Sequence, residues 1–243
     1  MKMSMAKSEH TAANRREEIV TACEKLYQTM SFREITLKEI SEATSFSRPS
    51  IYNYFATKEE IFLALFEREY DRWNASLEEI HHGRRKLSRR ALAEWLAKSL
   101  SERPQLLKLL SMNLYDMEAS SRLECLTSFK RSYGRAMENM RRILLKFRPE
   151  MTGGQIRDFI YAFFPFMFGV YPYTEVTEKQ KKAMDQAGID YELPTARELI
   201  FTFILNSLST NAHEKGMVRH PSACQATGEV GESADHIQIQ KEN

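Results

Sequence analysis

The chain has 243 residues, 42% of them hydrophobic and 28% charged, with only nine Gly and seven Pro, an ordinary globular composition with room for a sizeable core. Its three cysteines, Cys23, Cys125 and Cys224, are far apart and odd in number, which excludes a disulfide framework and paired metal-ligand spacing. A net charge of +2 does not advertise nucleic-acid binding by itself, and the basic surplus lies mid-chain, where residues 81–148 hold sixteen Lys/Arg against six Asp/Glu.

Residues 1–13 are polar and unpatterned and read as a disordered arm; residues 213–243 read as a disordered tail. Between them the hydrophobic period is helical, the strand signal is weak, and the expected fold class is all-α. "NRREEIVTACEKLYQTM" places Ile19, Ala22, Cys23, Leu26 and Met30 on one face. Short helices follow at 37–44 and 48–55, and a long one runs from 57 to Gly83. Further helices are expected near 87–101, 104–118, 121–147, 154–170, 177–187 and 195–211, separated by Gly, Pro or Ser. Thr36–Glu39 and Thr57–Glu60 both fit S/T-x-x-E, in which the hydroxyl accepts an amide of the first turn and the Glu reaches back to the cap.

Only Ser45, Phe46 and Ser47 separate the helices at 37–44 and 48–55, the spacing of a helix-turn-helix corner that Ile40, Phe46, Ile51 and Phe55 can fill. With Ile51 facing inward, 100° per residue puts Phe55 at about 40° and Tyr52, Pro49 and Asn53 at about 100°, 160° and 200°. Arg48 and Ser50 flank that outer face. Arg forks onto guanine, Asn onto adenine, and Ser or Tyr reaches phosphate, so these groups suit a major groove. Pro49 costs little in a first turn and stiffens the end that would enter it. Lys58, at the start of the next helix, could meet a phosphate, although a lysine taken alone at such a place is more often solvated. Thr36 and Thr57 are caps in any reading, and Thr36 and Tyr54 could also touch the DNA backbone, Tyr54 being readable as core as well.

The stretch "EEIVTACEKLYQTMSFREITLKEISEATSFSRPSIYNYFATKEEIFLALFE" resembles the DNA-binding domain of TetR/AcrR family transcriptional regulators over about residues 14–66. The likeness rests on Thr36, Ile40 and Phe46–Ser47, on Ile51-Tyr52-Asn53-Tyr54-Phe55, and on Thr57-Lys58-Glu59-Glu60. It implies a three-helix DNA-binding domain at 14–56 and a larger helical ligand-binding and dimerisation domain at 57–212. It further implies DNA contacts from Thr36, Ser47, Arg48, Ser50, Tyr52, Asn53 and Lys58, and a homodimer that leaves a palindromic operator when a small-molecule effector binds. Repression is implied on family grounds alone. Pro49, where the family often places Gly, Ser or Ala, and the Asn53–Tyr54 pair depart from the common pattern.

Beyond residue 70 the resemblance weakens. The 121–147 helix carries an apolar stripe through Leu126, Phe129, Tyr133, Met137, Met140, Leu144 and Phe147. A basic line through Arg131, Arg135, Arg142 and Lys146 reads either as a solvated face or as a seat for an anionic effector or partner. The run "FIYAFFPFMFGVYPY" is apolar nearly all round and so buried on several sides. By resemblance, the helices near 154–170 and 195–211 pair with their mates in the dimer. A pocket lined by Met112, Tyr115, Phe129, Tyr133, Phe163 and Met167, anchored by Asp116 or Glu118, is a candidate effector site, each residue being readable as core too.

No enzyme is expected: the six histidines sit at the chain ends or at a helix terminus, and no Gly-rich phosphate loop or H-E-x-x-H motif is present. No metal or cofactor is expected. The start lacks the apolar stretch of a signal peptide, and the greasiest run is shorter than the ~20 residues a span needs, so a cytoplasmic protein without membrane contact is the expectation. The rival reading is a helical interaction protein, or an activator, whose helix-turn-helix has lost or changed its DNA role.

Overall fold

The computed structural model describes residues 2–83, 85–112 and 114–209, with side chains from residue 13 onward. Among the described residues the chain is all-α, without a strand. α1 (Lys2–Thr29), α2 (Leu37–Glu42) and α3 (Arg48–Ile51) precede the long α4 (Lys58–Gly83). Then come α5 (Arg89–Ser101), α6 (Pro104–Leu110), α7 (Leu114–Ala119), α8 (Leu123–Phe147), α9 (Gly153–Thr174), α10 (Glu178–Gln186) and α11 (Ala196–Ser207).

α1 starts at Lys2, where a disordered arm is expected from the sequence over 1–13. The 2–29 stretch has no Gly or Pro and is rich in Ala, Lys, Met and Glu, so helix propensity carries the helix ahead of its buried face, which begins at Ile19. The expected tail at 213–243 lies outside the described residues. The single helix expected at 104–118 is two, because the Ser111 hydroxyl donates to the Lys108 carbonyl at 2.7 Å and competes with the backbone ladder. α9 continues to Thr174, with Pro165 and Pro172 at solvent-facing positions inside it.

α4 is the spine. On its amino-terminal half Arg68 reaches Glu24 of α1 at 2.6 Å and Glu17 at 2.8 Å, and Arg72 reaches Glu24 at 2.5 Å. Among the same turns, Phe66, Tyr70 and Trp73 meet Phe129 and Tyr133 of α8 and Phe163 and Phe164 of α9 in one aromatic core. Each fully buried ring of this size contributes about 1.5–3 kcal/mol. Trp73 Nε1 donates to Ser99 Oγ of α5 at 3.1 Å, which settles its one polar atom. α11 packs on α5, with Arg90 stacked 5.1 Å over the Phe201 ring and Arg197 paired with Glu94.

Candidate nucleic-acid interface

The corner of residues 36–60 is held by local chemistry. Thr36 caps α2 in a full capping box: its Oγ1 accepts from the Lys38 amide at 3.1 Å, and Glu39 reaches back to the Thr36 amide at 3.1 Å. α3 opens at Arg48 with Pro49 in its first turn; after Ile51 the backbone continues as a turn, the Phe55 amide donating to the Ile51 carbonyl at 3.1 Å. The recognition segment is therefore one regular turn plus a tightened second one, rather than the uniform helix expected over 48–55. Ile35, Ile40, Ile51 and Phe55 have no exposed surface. Phe46 is half-buried, and Glu18 of α1 accepts from both the amide and the hydroxyl of Ser45 at 2.8 Å, pinning the turn to α1.

With that anchor in place the outer side is free. Ser47, Arg48, Pro49 and Asn53 are exposed and Tyr52 is 49% exposed, while Ser50 is half-buried with its hydroxyl 2.9 Å from that of Ser47. One turn thus presents a guanidinium, an amide, two hydroxyls and a flat ring, without a carboxylate, and such a set can address base edges and phosphates. Thr36 is also exposed.

Two expected contacts are placed otherwise. Lys58 Nζ donates to the Phe32 carbonyl at 2.9 Å and the Ile35 carbonyl at 3.2 Å and lies 4.0 Å over the Phe32 ring. It braces the α1–α2 connection instead of pointing at a phosphate, because two backbone carbonyls near the end of α1 offer it a fixed seat. Tyr54 is half-buried, its ring 6.2 Å from that of Phe46 and its hydroxyl accepting from Arg15 at 3.5 Å.

The second capping box, Thr57–Glu60, is only half formed. Thr57 Oγ1 accepts from the Glu60 amide at 3.3 Å, but the Glu60 carboxylate turns away from the Thr57 amide. It accepts instead from the Ala56 amide at 2.7 Å, from the Arg122 amide at 3.0 Å, and from Nε and a terminal nitrogen of Arg122, both at 2.7 Å. Burial by itself would raise this carboxyl; the hydrogen bonds from Arg122 and Ala56 outweigh it and hold it down at about 2. Sequence reasoning missed Arg122 altogether. It sits 62 residues from Glu60, and the only hint was a capping-box Glu beside a helix start.

The residues expected to line an effector pocket are divided between core and surface. Phe129, Phe163 and Met167 are buried and Tyr133 half-buried in the α4–α8–α9 core, and Met112 is half-buried, whereas Tyr115 is 86% exposed and Asp116 exposed on α7. The separation has a simple cause: the break after α6 lets α7 turn its own Met117, rather than Tyr115, inward. None of these residues lines the described clefts. One cleft, of about 370 Å³, lies between α4 and α5 around Ile80, Trp95 and Lys98; another, of about 400 Å³, lies between α8 and α9 around Met137, Arg141, Ile156 and Tyr161. Half of the α8 basic line is tied down: Arg135 bonds Asp71, and Lys146 bonds the His81 carbonyl. Among the described residues no group of His, Cys, Asp or Glu could hold a metal ion, and no helix is long and apolar enough to cross a membrane.

Two family models match this chain. Residues 19–65 match the bacterial regulatory proteins of the tetR family, and residues 67–198, more than half of the chain, match the tetracyclin repressor-like C-terminal domain. The chain belongs to the TetR family. The 19–65 match contains the corner described above, so this part of the chain is the helix-turn-helix DNA-binding domain of a TetR-family transcriptional regulator, followed by the helical C-terminal domain. Regulators of this family are generally non-enzymatic DNA-binding proteins. No curated protein matches the chain.

Solved structures agree on the fold. A TetR/AcrR family regulator from Thermobifida fusca YX-ER1 superposes with a TM-score of 0.53 at 16% identity, covering 83% of this chain and 100% of that one. The fatty acid degradation regulator FadR from Bacillus halodurans gives 0.52 at 14% identity, covering 80% and 98%. The MbdR regulator from Azoarcus sp. CIB gives 0.50 at 16%, covering 79% and 96%. At such identities the likeness extends to the fold and not to ligands or operators.

Proposed function

We propose that this TetR-family regulator is a repressor that binds a palindromic operator as a homodimer in the cytoplasm and is released by a small-molecule effector. The observation that carries the reading is the division of the recognition turn: Ile51 and Phe55 fully buried, Arg48, Pro49, Tyr52 and Asn53 turned to solvent. Arg48 and Asn53 read bases, Tyr52 and Pro49 shape the fit to the groove, and Thr36, Ser47 and Ser50 reach phosphates. Lys58 and Tyr54, already engaged within the fold, act as braces.

The dimer forms through α9 and α11. On α9 the stripe Ala162, Phe166, Gly169 and Tyr173 is exposed or half-exposed at helical spacing, and on α11 so is Leu199, Thr202, Phe203 and Asn206. Phe166 and Phe203 stack at 4.0 Å, joining the two stripes into one apolar surface, and such surfaces mark association sites. The effector enters by way of the α8–α9 cleft, whose wall at Gly134 follows Tyr133, and parts the packed side chains of Phe129, Tyr133, Phe163 and Met167 to make its seat.

DNase footprinting on the regulator's own promoter tests the reading. Saturable, salt-sensitive protection of two half-sites one helical turn apart supports it, and no protection of any upstream region would sink it.

A further inference from the structure

Arg122 lies in the C-terminal half, at the entry to α8, outside the 19–65 stretch that matches the DNA-binding domain. Its side chain nevertheless holds that domain in two places. Nε and Nη2 each donate to Glu60 at 2.7 Å, and the same Nη2 also donates to the Tyr54 carbonyl, at the end of the recognition turn, at 3.2 Å. Glu60 has no exposed surface and takes four hydrogen bonds in all. A second strut stands beside the first: Thr57 Oγ1 donates to the Ser120 carbonyl at 3.2 Å. The 120–122 connection between α7 and α8 therefore clasps the 54–60 segment, where the recognition turn passes into α4, from outside.

We propose that Arg122 is a positioning residue for DNA binding: through Glu60 and the Tyr54 carbonyl it sets the angle of the recognition turn against α4, and the 120–122 connection is where movement of α7 and α8 reaches the DNA-binding unit. The physical grounds are three. A planar guanidinium fixes two partners in one geometry, which an ammonium cannot. The carboxylate it grips is buried, so the pair has one good arrangement and a costly broken one. The recognition turn has only one regular helical turn of its own and depends on outside contacts for its orientation. The idea rests on the DNA-binding reading, deepening it from which residues touch DNA to which residue aims them.

The test uses the full-length protein with Arg122→Met, Arg122→Lys and Glu60→Gln. Operator binding is read by fluorescence anisotropy over a salt series, and backbone opening by hydrogen exchange. Arg122→Met is expected to weaken operator binding about tenfold, the scale of one lost charge-assisted hydrogen bond. The salt slope stays unchanged, because Arg122 acts through Glu60 and the Tyr54 carbonyl rather than on a phosphate. Exchange speeds up at amides 53–57 but not in mid-α8. Arg122→Lys recovers only part of the affinity, and Glu60→Gln falls between wild type and Arg122→Met. Unchanged affinity and unchanged exchange at 53–57 in Arg122→Met overturn the proposal, as does a uniform rise in exchange across the chain, which marks a merely structural role. If Arg122→Met does not fold, Arg122→Lys decides by the same two readouts. A wild-type protein that binds no DNA counts against the DNA-binding reading alone, and the exchange pattern still decides whether Arg122 holds the turn.

Discussion

The Asn139 side-chain amide donates to Asn74 Oδ1 at 3.0 Å, and the Asn74 amide passes the bond on to the Ser132 carbonyl at 3.0 Å. This buried relay stitches the middle of α4 to α8, between the aromatic core and the far end of both helices. Replacing Asn139 by Leu strands the Asn74 oxygen in an apolar site and is expected to cost about 1–3 kcal/mol. The double variant Asn74→Leu/Asn139→Leu should cost less than the sum of the two singles, since paired polar groups are removed together. Urea denaturation of the four proteins checks this; additive losses would contradict the relay.

Acid stability should depend on Glu60. Its carboxyl sits at about 2 in the folded chain, against 4.5 for an ordinary glutamate, so the folded state binds this proton more weakly than the unfolded one. The stabilisation is therefore complete above about pH 4.5 and is lost as pH falls towards 2. Because Arg122 is half-exposed and screened, about 2 kcal/mol is a reasonable ceiling for it. Glu60→Gln should lower stability at pH 7 and flatten the loss between pH 4.5 and pH 3. An acid limb as steep as that of the wild type would show that the pair is not what acid breaks.

For the proposed dimer through α9 and α11, Thr202→Arg is the informative substitution. Thr202 is solvent-facing on the α11 stripe, so a charge there leaves the monomer's core alone. Sedimentation should shift from dimer to monomer at micromolar protein with the melting curve of the monomer core retained, and operator affinity should fall with it. A Thr202→Arg protein that remains dimeric places the interface elsewhere.

Pro49 restricts the first turn of α3 at the tip of the exposed face. Pro49→Gly should cost about 0.5–1 kcal/mol of fold stability by freeing the unfolded chain. It should also change base preference in a selection from randomised duplexes. An unchanged preference profile would reduce Pro49 to a helix starter.

The DNA-binding corner was legible because everything that makes it is local. A cap at Thr36 with Glu39 three residues on, and Ile51 and Phe55 four apart, fix both helix start and buried side without any distant partner. What could not be read needed the third dimension. Lys58 looked like a phosphate ligand until the carbonyls of Phe32 and Ile35 were seen beneath it. Glu60 fitted a capping box that its distant partner Arg122 dismantles. Tyr115 and Phe129 both read as pocket lining, but with the helix broken at Ser111 the first lies on the surface while the second packs in the core. The helix through residues 2–13 was misread for the opposite reason: propensity acted where no apolar period gave it away.

The central claim is that the exposed side of the recognition turn reads base sequence. Anisotropy titration of wild type and of Arg48→Ala/Asn53→Ala against the footprinted palindrome and a scrambled duplex of the same length tests it most directly. The double variant is expected to lose about 2–5 kcal/mol on the palindrome, to keep most of its weak affinity for the scrambled duplex, and so to lose discrimination. A double variant that still distinguishes the two duplexes as well as the wild type does would contradict it.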